Sequence, residues 1–76
     1  MKVIDYTVCV CGASPKSDLF EKEIVKFYEK ITVYLEKGYT PVGGLTSCDG
    51  KLIQSLILYE ENKRIYNKWF EINGGK

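Results

Sequence analysis

The chain has no histidine. Any general base working near neutral pH must then be a carboxylate, or a lysine or cysteine with a shifted pKa. A zinc site likewise lacks its commonest ligand. The three cysteines do not supply one, because Cys9 and Cys11 alternate onto one strand face while Cys48 lies in a turn. Neither a metal nor a cofactor is expected. Without a disulfide framework, the cysteines read as reduced thiols in a cytoplasmic protein (the host cytoplasm, if the protein is viral).

An excess of one charge is also missing. Eleven basic side chains against ten acidic ones leave +1, which gives no general attraction for a DNA or RNA polymer. No apolar run reaches transmembrane length, and Met1-Lys2 leads straight into a short alternating strand. That predicts neither a membrane span nor a secretory leader. The acidic residues form no convincing pair, with Asp5 on a strand, Asp49 in a turn and the others on helices. Cys9 and Cys11 have no visible activating base, so buried structural thiols are the better reading. No catalytic residue is assigned.

What remains is a chain of 76 residues, enough for one small domain. Such a chain buries only about 60% of its unfolded surface, so its own core leaves it marginal. Hydrophobic residues make up 45% of it, which excludes a disordered chain. With disulfides and metals set aside, self-association is the remaining supplement.

Lys2–Cys11 alternates, with Ile4, Tyr6, Val8 and Val10 on one face and Asp5, Thr7, Cys9 and Cys11 on the other. Gly12–Asp18 is a loop, since Pro15 bars continuation of the strand. A helix is predicted from about Leu19 to Lys37, with Asp18 as N-cap and Glu21 completing a capping box. Phe20, Ile24, Phe27, Tyr28, Ile31, Tyr34 and Leu35 fall on its apolar arc, and Lys22, Lys26, Lys30 and Lys37 on a solvated one. Gly38 stops it.

Tyr39–Ser47 reads as a second strand, Asp49-Gly50 as a tight hairpin turn, and Lys51–Tyr59 as a third strand. The third is apolar on both faces and should be covered on both. The fold class is therefore α+β, a three-stranded antiparallel sheet in β-α-β-β order with spatial order 1-3-2 and a right-handed crossover helix. Tyr6, Tyr28 and Tyr34 are expected in the core. Residues 1–59 form this unit. Residues 60–76 add a C-terminal helix and tail, with Asn73-Gly74-Gly75 as the stop. That helix either covers the second sheet face or reaches another subunit, and Tyr59, Ile65, Tyr66, Trp69 and Phe70 are its candidate interface residues.

The run Gly38-Tyr39-Thr40-Pro41-Val42-Gly43-Gly44-Leu45 resembles the glycine–aromatic–x-Pro-Val-Gly-Gly–aliphatic core of a family of small bacterial and phage domains of unknown function. Gln54-Ser55-Leu56 matches its last strand. Two features depart from the family pattern, Tyr39 in place of the usual tryptophan and the C-terminal extension. The resemblance implies a fold and a small, often self-associating module, and no reaction.

Gly43-Gly44 lies inside a strand, where glycine is unfavourable without a reason. The candidates are a bulge, a close packing contact, or backbone left open to a ligand. No phosphate-loop pattern surrounds the pair. The ligand reading takes Tyr39, Thr40, Gly43, Gly44, Thr46, Ser47, Lys51 and Gln54 as binding residues. Gln54 interrupts an apolar strand, either as a satisfied cross-strand contact or as an amide reading a ligand edge.

The expected function is a non-enzymatic homo-oligomeric module sequestering a small anionic ligand. A cyclic nucleotide immune second messenger suits this by analogy with tiny oligomeric phage proteins. The alternative is a protein–protein module docking a partner through its C-terminal aromatic helix, with no small ligand.

Overall fold

A computed structural model describes residues 2–74. Met1, Gly75 and Lys76 lie outside the described residues, and with them the last glycine of the expected helix stop. The chain runs β1 (Val3–Val10), α1 (Phe20–Glu36), β2 (Thr40–Cys48), β3 (Lys51–Tyr59), a 3-10 turn (Glu60–Asn62) and α2 (Lys63–Ile72). The three strands form one antiparallel sheet in the order β1-β3-β2. Asp49 and Gly50 both take positive φ, at 52° and 75°, as a two-residue hairpin of matching twist requires.

α1 does not start as the sequence suggests. Asp18 is not the N-cap; Leu19 holds that position with no side-chain cap bond. Two serine turns set the entry instead. Ser14 Oγ accepts from the Lys16 amide and Ser17 Oγ from the Leu19 amide, local bonds of the kind that compete with helix.

The end is as expected. Gly38 sits at φ +96°, its N–H donating to the Leu35 carbonyl and the Tyr39 N–H to the Tyr34 carbonyl. This is a Schellman motif, and its hydrophobic contact is the Tyr34–Tyr39 ring pair at 5.0 Å.

One side of the sheet packs on α1. Cys9, Cys11, Phe27, Tyr39, Leu56 and Leu58 form the core, with Phe20, Ile24, Ile31, Tyr34 and Tyr66 around it. The β1 face that turns inward is thus the one carrying the cysteines. Each large apolar side chain buried contributes about 1.5–3 kcal/mol, so so few leave the chain marginal.

Tyr6 and Tyr28 are exposed rather than core, and Leu35 also faces out. α1 rotates so that Phe27 is its one fully buried residue, which turns Tyr28 to the flank.

α2 does not cover the second sheet face. It packs beside α1, with Tyr66 against Tyr39 at 6.1 Å between ring centroids. Asn62 Nδ2 donates to the Gly38 carbonyl at 2.9 Å. The 3-10 turn leaves only three residues to redirect the chain after β3, and the aromatic residues find partners on the α1 side. Among the described residues the sheet's other face is consequently open, and β3 is covered on one side rather than two.

Candidate functional site

The Gly-Gly segment forms a bulge. Val42 pairs with Ser55 and Thr46 with Ile53, so β2 spends two more residues than β3 over this stretch. Gly43 takes φ +68°, a conformation that disfavours side chains. A Cβ placed at Gly43 or Gly44 would meet nothing within 4 Å. Close packing within the chain therefore does not explain the pair.

Gln54 supports the bulge from β3. Its Nε2 lies 3.3 Å from the Val42 carbonyl, 3.3 Å from the Gly43 carbonyl and 3.0 Å from the Ser55 carbonyl. Looping out the glycines leaves carbonyls without ladder partners, and a buried amide donor supplies them. The cross-strand reading of Gln54 accounts for these contacts.

The other candidate residues do not converge on one place. Tyr39 is buried at 5% exposure, and its hydroxyl donates to Asp5 Oδ2. Burial, reinforced by the hydrogen bond to the Asp5 carboxylate, holds that phenol well above the usual tyrosine range. Thr40 and Thr46 pair with Ile57 and Ile53 on the open face, whereas Ser47 pairs with Leu52 on the other. Lys51 is at the hairpin. From the Ile57 register to Lys51 the strand runs roughly 20 Å at about 3.4 Å per residue, too far for Thr40 and Lys51 to share one small ligand.

The cysteines are quiet. Cys9 and Cys11 are buried and Cys48 is exposed, all three free. Burial pushes the Cys9 thiol up, and the charge of Lys30 offsets this only in part. Among the described residues no cluster of three metal-ligating side chains occurs, and no helix is long and apolar enough to cross a membrane.

Two surfaces stand out. The first is the open sheet face, where register places Tyr6, Val8, Val10, Val42, Ile53 and Ile57 together. Tyr6 is 59% exposed and Val8 41%, unusual for residues at the middle of a strand. The polar features at its centre are Ser55 and the Tyr6 hydroxyl, which donates to Ser55 Oγ at 3.2 Å. Tyr59, half-buried, ends the same face. The second is a shallow apolar groove on the outer side of α1, lined by Val25, Tyr28, Glu29, Thr32 and Val33.

α2 uses its aromatics internally. Tyr66 joins the core edge, and Trp69 and Phe70 enclose the Lys37 ammonium. Ile65 packs against Gly38, where an added Cβ would come within 3.1 Å of the Ile65 Cβ. Lys37 is therefore half-buried, not part of a solvated stripe. Sequence reasoning missed Asp5, Lys37 and Asn62 as contact residues. A usable signal for Lys37 was its place just before the stop glycine, where a following helix folds back.

No family model, no curated protein and no solved structure matches the chain. The likeness to a family core rests on Gly38–Leu45 and Gln54–Leu56 of the sequence alone.

Proposed function

We propose that the protein is a non-enzymatic interaction module that works as a homodimer, with a second copy covering the open sheet face. The observation that carries this is the row of exposed aliphatic side chains on one face of the sheet. Sheets of this kind are stable as layers packed on something.

Size supports the reading. The molecule is a slab of 40 × 27 × 12 Å. Its radius of gyration is 13.8 Å, against about 11 Å for a compact chain of this length. Its surface is 5400 Å², against about 4,700 Å² for a monomer of this mass. The excess, about 700 Å², is close to the roughly 800 Å² that each partner buries in a standard interface. The charge that alternation places on this face is Lys51, at its hairpin end, so its centre stays apolar, and two-fold self-pairing is the commonest closed assembly.

A mixture of labelled and unlabelled protein tests the surface as well as the association. Intermolecular nuclear Overhauser contacts should map to Tyr6, Val8 and Val42. Contacts confined to α2 would favour the aromatic-helix alternative, and their complete absence would overturn dimerisation.

One observation favours a second reading, a small anionic ligand at the bulge. Gly44 has neither a positive φ nor a crowded Cβ position, so the fold gives no reason for it to be glycine. An open backbone is what a ligand would use, with Thr46 and the flanking amides as donors. A panel of cyclic and linear nucleotides, scored by thermal shift and by release of intact ligand on heating, tests this. No shift with any of them removes the nucleotide class.

A further inference from the structure

The Lys37 ammonium stands 4.5 Å from the Trp69 ring centroid, 5.0 Å from that of Tyr34 and 5.4 Å from that of Phe70. Trp69 and Phe70 meet at 81° with centroids 5.1 Å apart, so they form two perpendicular walls. Tyr34 comes from α1 and the other two from α2. Three aromatic faces around one cation, all within about 6 Å, is the arrangement that recognises methylated ammonium groups.

Lys37 is an occupant that can leave. Among the described residues the salt bridge found is Lys26–Glu23, so no carboxylate fixes Lys37 in place. The two helices do not depend on it, because Asn62 bonds the Gly38 carbonyl and Tyr66 packs on Tyr39. Its flexible four-carbon stem allows the head to swing into water. Beside the cage, Trp69 also lines a groove of about 220 Å³ with Glu36, Ile65, Lys68, Ile72 and Asn73. That groove offers apolar surface with one carboxylate, Glu36, and one ammonium, Lys68, so its charges balance and the aromatic faces carry the recognition of a cation.

We propose that Tyr34, Trp69 and Phe70 form a binding site for a methylated ammonium group, with Lys37 as its resident competitor. The tethered lysine acts at a high effective concentration, so the wild-type protein binds such ligands weakly. Removing it exposes the site.

Trp69 is the single tryptophan, and its fluorescence reports the cage directly. Choline, a trimethyllysine peptide and the neutral isostere 3,3-dimethylbutanol are titrated into wild type and Lys37→Ser. The expected result is binding of both cations, about tenfold tighter in Lys37→Ser, with little response to the isostere. The tighter of the two cations identifies the source as a free small molecule or a modified peptide.

Equal binding of the isostere would reduce the site to an apolar groove and overturn the proposal. So would no cation binding to a Lys37→Ser protein with a native circular dichroism spectrum. If that variant does not fold, the wild type decides. Choline should move the ring-shifted Lys37 ε-methylene resonances toward their free values, and resonances that stay fixed overturn the proposal.

Discussion

The Tyr39 hydroxyl donates to the Asp5 carboxylate, joining the residue that follows α1 to the opposite edge strand of the sheet. Tyr39 also stacks edge-on against Tyr34 and Tyr66. One side chain thus ties β1, the end of α1 and α2 together. Tyr39→Phe keeps the ring and removes the bond, and should cost about 1–2 kcal/mol in a urea titration.

The same bond sets an alkaline limit. The phenol is held above its ordinary value, so its contribution is complete below the unfolded value of about 10 and lost as pH rises beyond it. Wild type should lose stability above that pH more steeply than Tyr39→Phe. Parallel melting profiles for the two proteins check this, since lysine and cysteine titration is common to both.

Gln54 provides the donor for the bulge carbonyls of Val42 and Gly43. Gln54→Leu fills similar space without a donor, leaving those carbonyls unsatisfied at about 1–3 kcal/mol. Chemical denaturation measures the loss. A variant as stable as wild type would mean that water serves the bulge equally well.

The glycines should separate by mechanism. Gly38→Ala meets both a positive φ and the Ile65 side chain, and should be the most damaging. Gly43→Ala meets the backbone strain alone, about 1–2 kcal/mol. Gly44→Ala has neither and should leave the melting temperature nearly unchanged. A large loss at Gly44 would show a structural demand that the open space around it does not reveal.

The elements and their order were readable because each has its own local signal. Alternation marks β1, the 3.6-residue period marks α1, Gly38 ends it, and Asp49-Gly50 turns the hairpin. The strand order followed from connection rules.

The placement of α2 was not readable. An amphipathic helix after β3 can fold to either side of the sheet, and the meeting of Tyr66 with Tyr39 and of Asn62 with the Gly38 carbonyl decides it. From sequence, Cys9 and Cys11 are expected to be buried, as found, but so is Tyr6 on the opposite face of β1, which is exposed. Alternation separates the two faces without saying which one α1 will cover. The proposed binding set scattered because Tyr39, Thr40 and Lys51 are close in sequence to the bulge but spread along the full length of the strands.

Sedimentation equilibrium over a range of micromolar concentrations, comparing wild type with Val8→Glu, tests the homodimer most directly. Val8 is exposed at the centre of the open face, so the substitution leaves the α1-side core untouched. Wild type should approach twice its 8.7 kDa chain mass, while folded Val8→Glu should stay at 8.7 kDa. A wild type that remains monomeric throughout, or a Val8→Glu protein that associates as tightly, would contradict it.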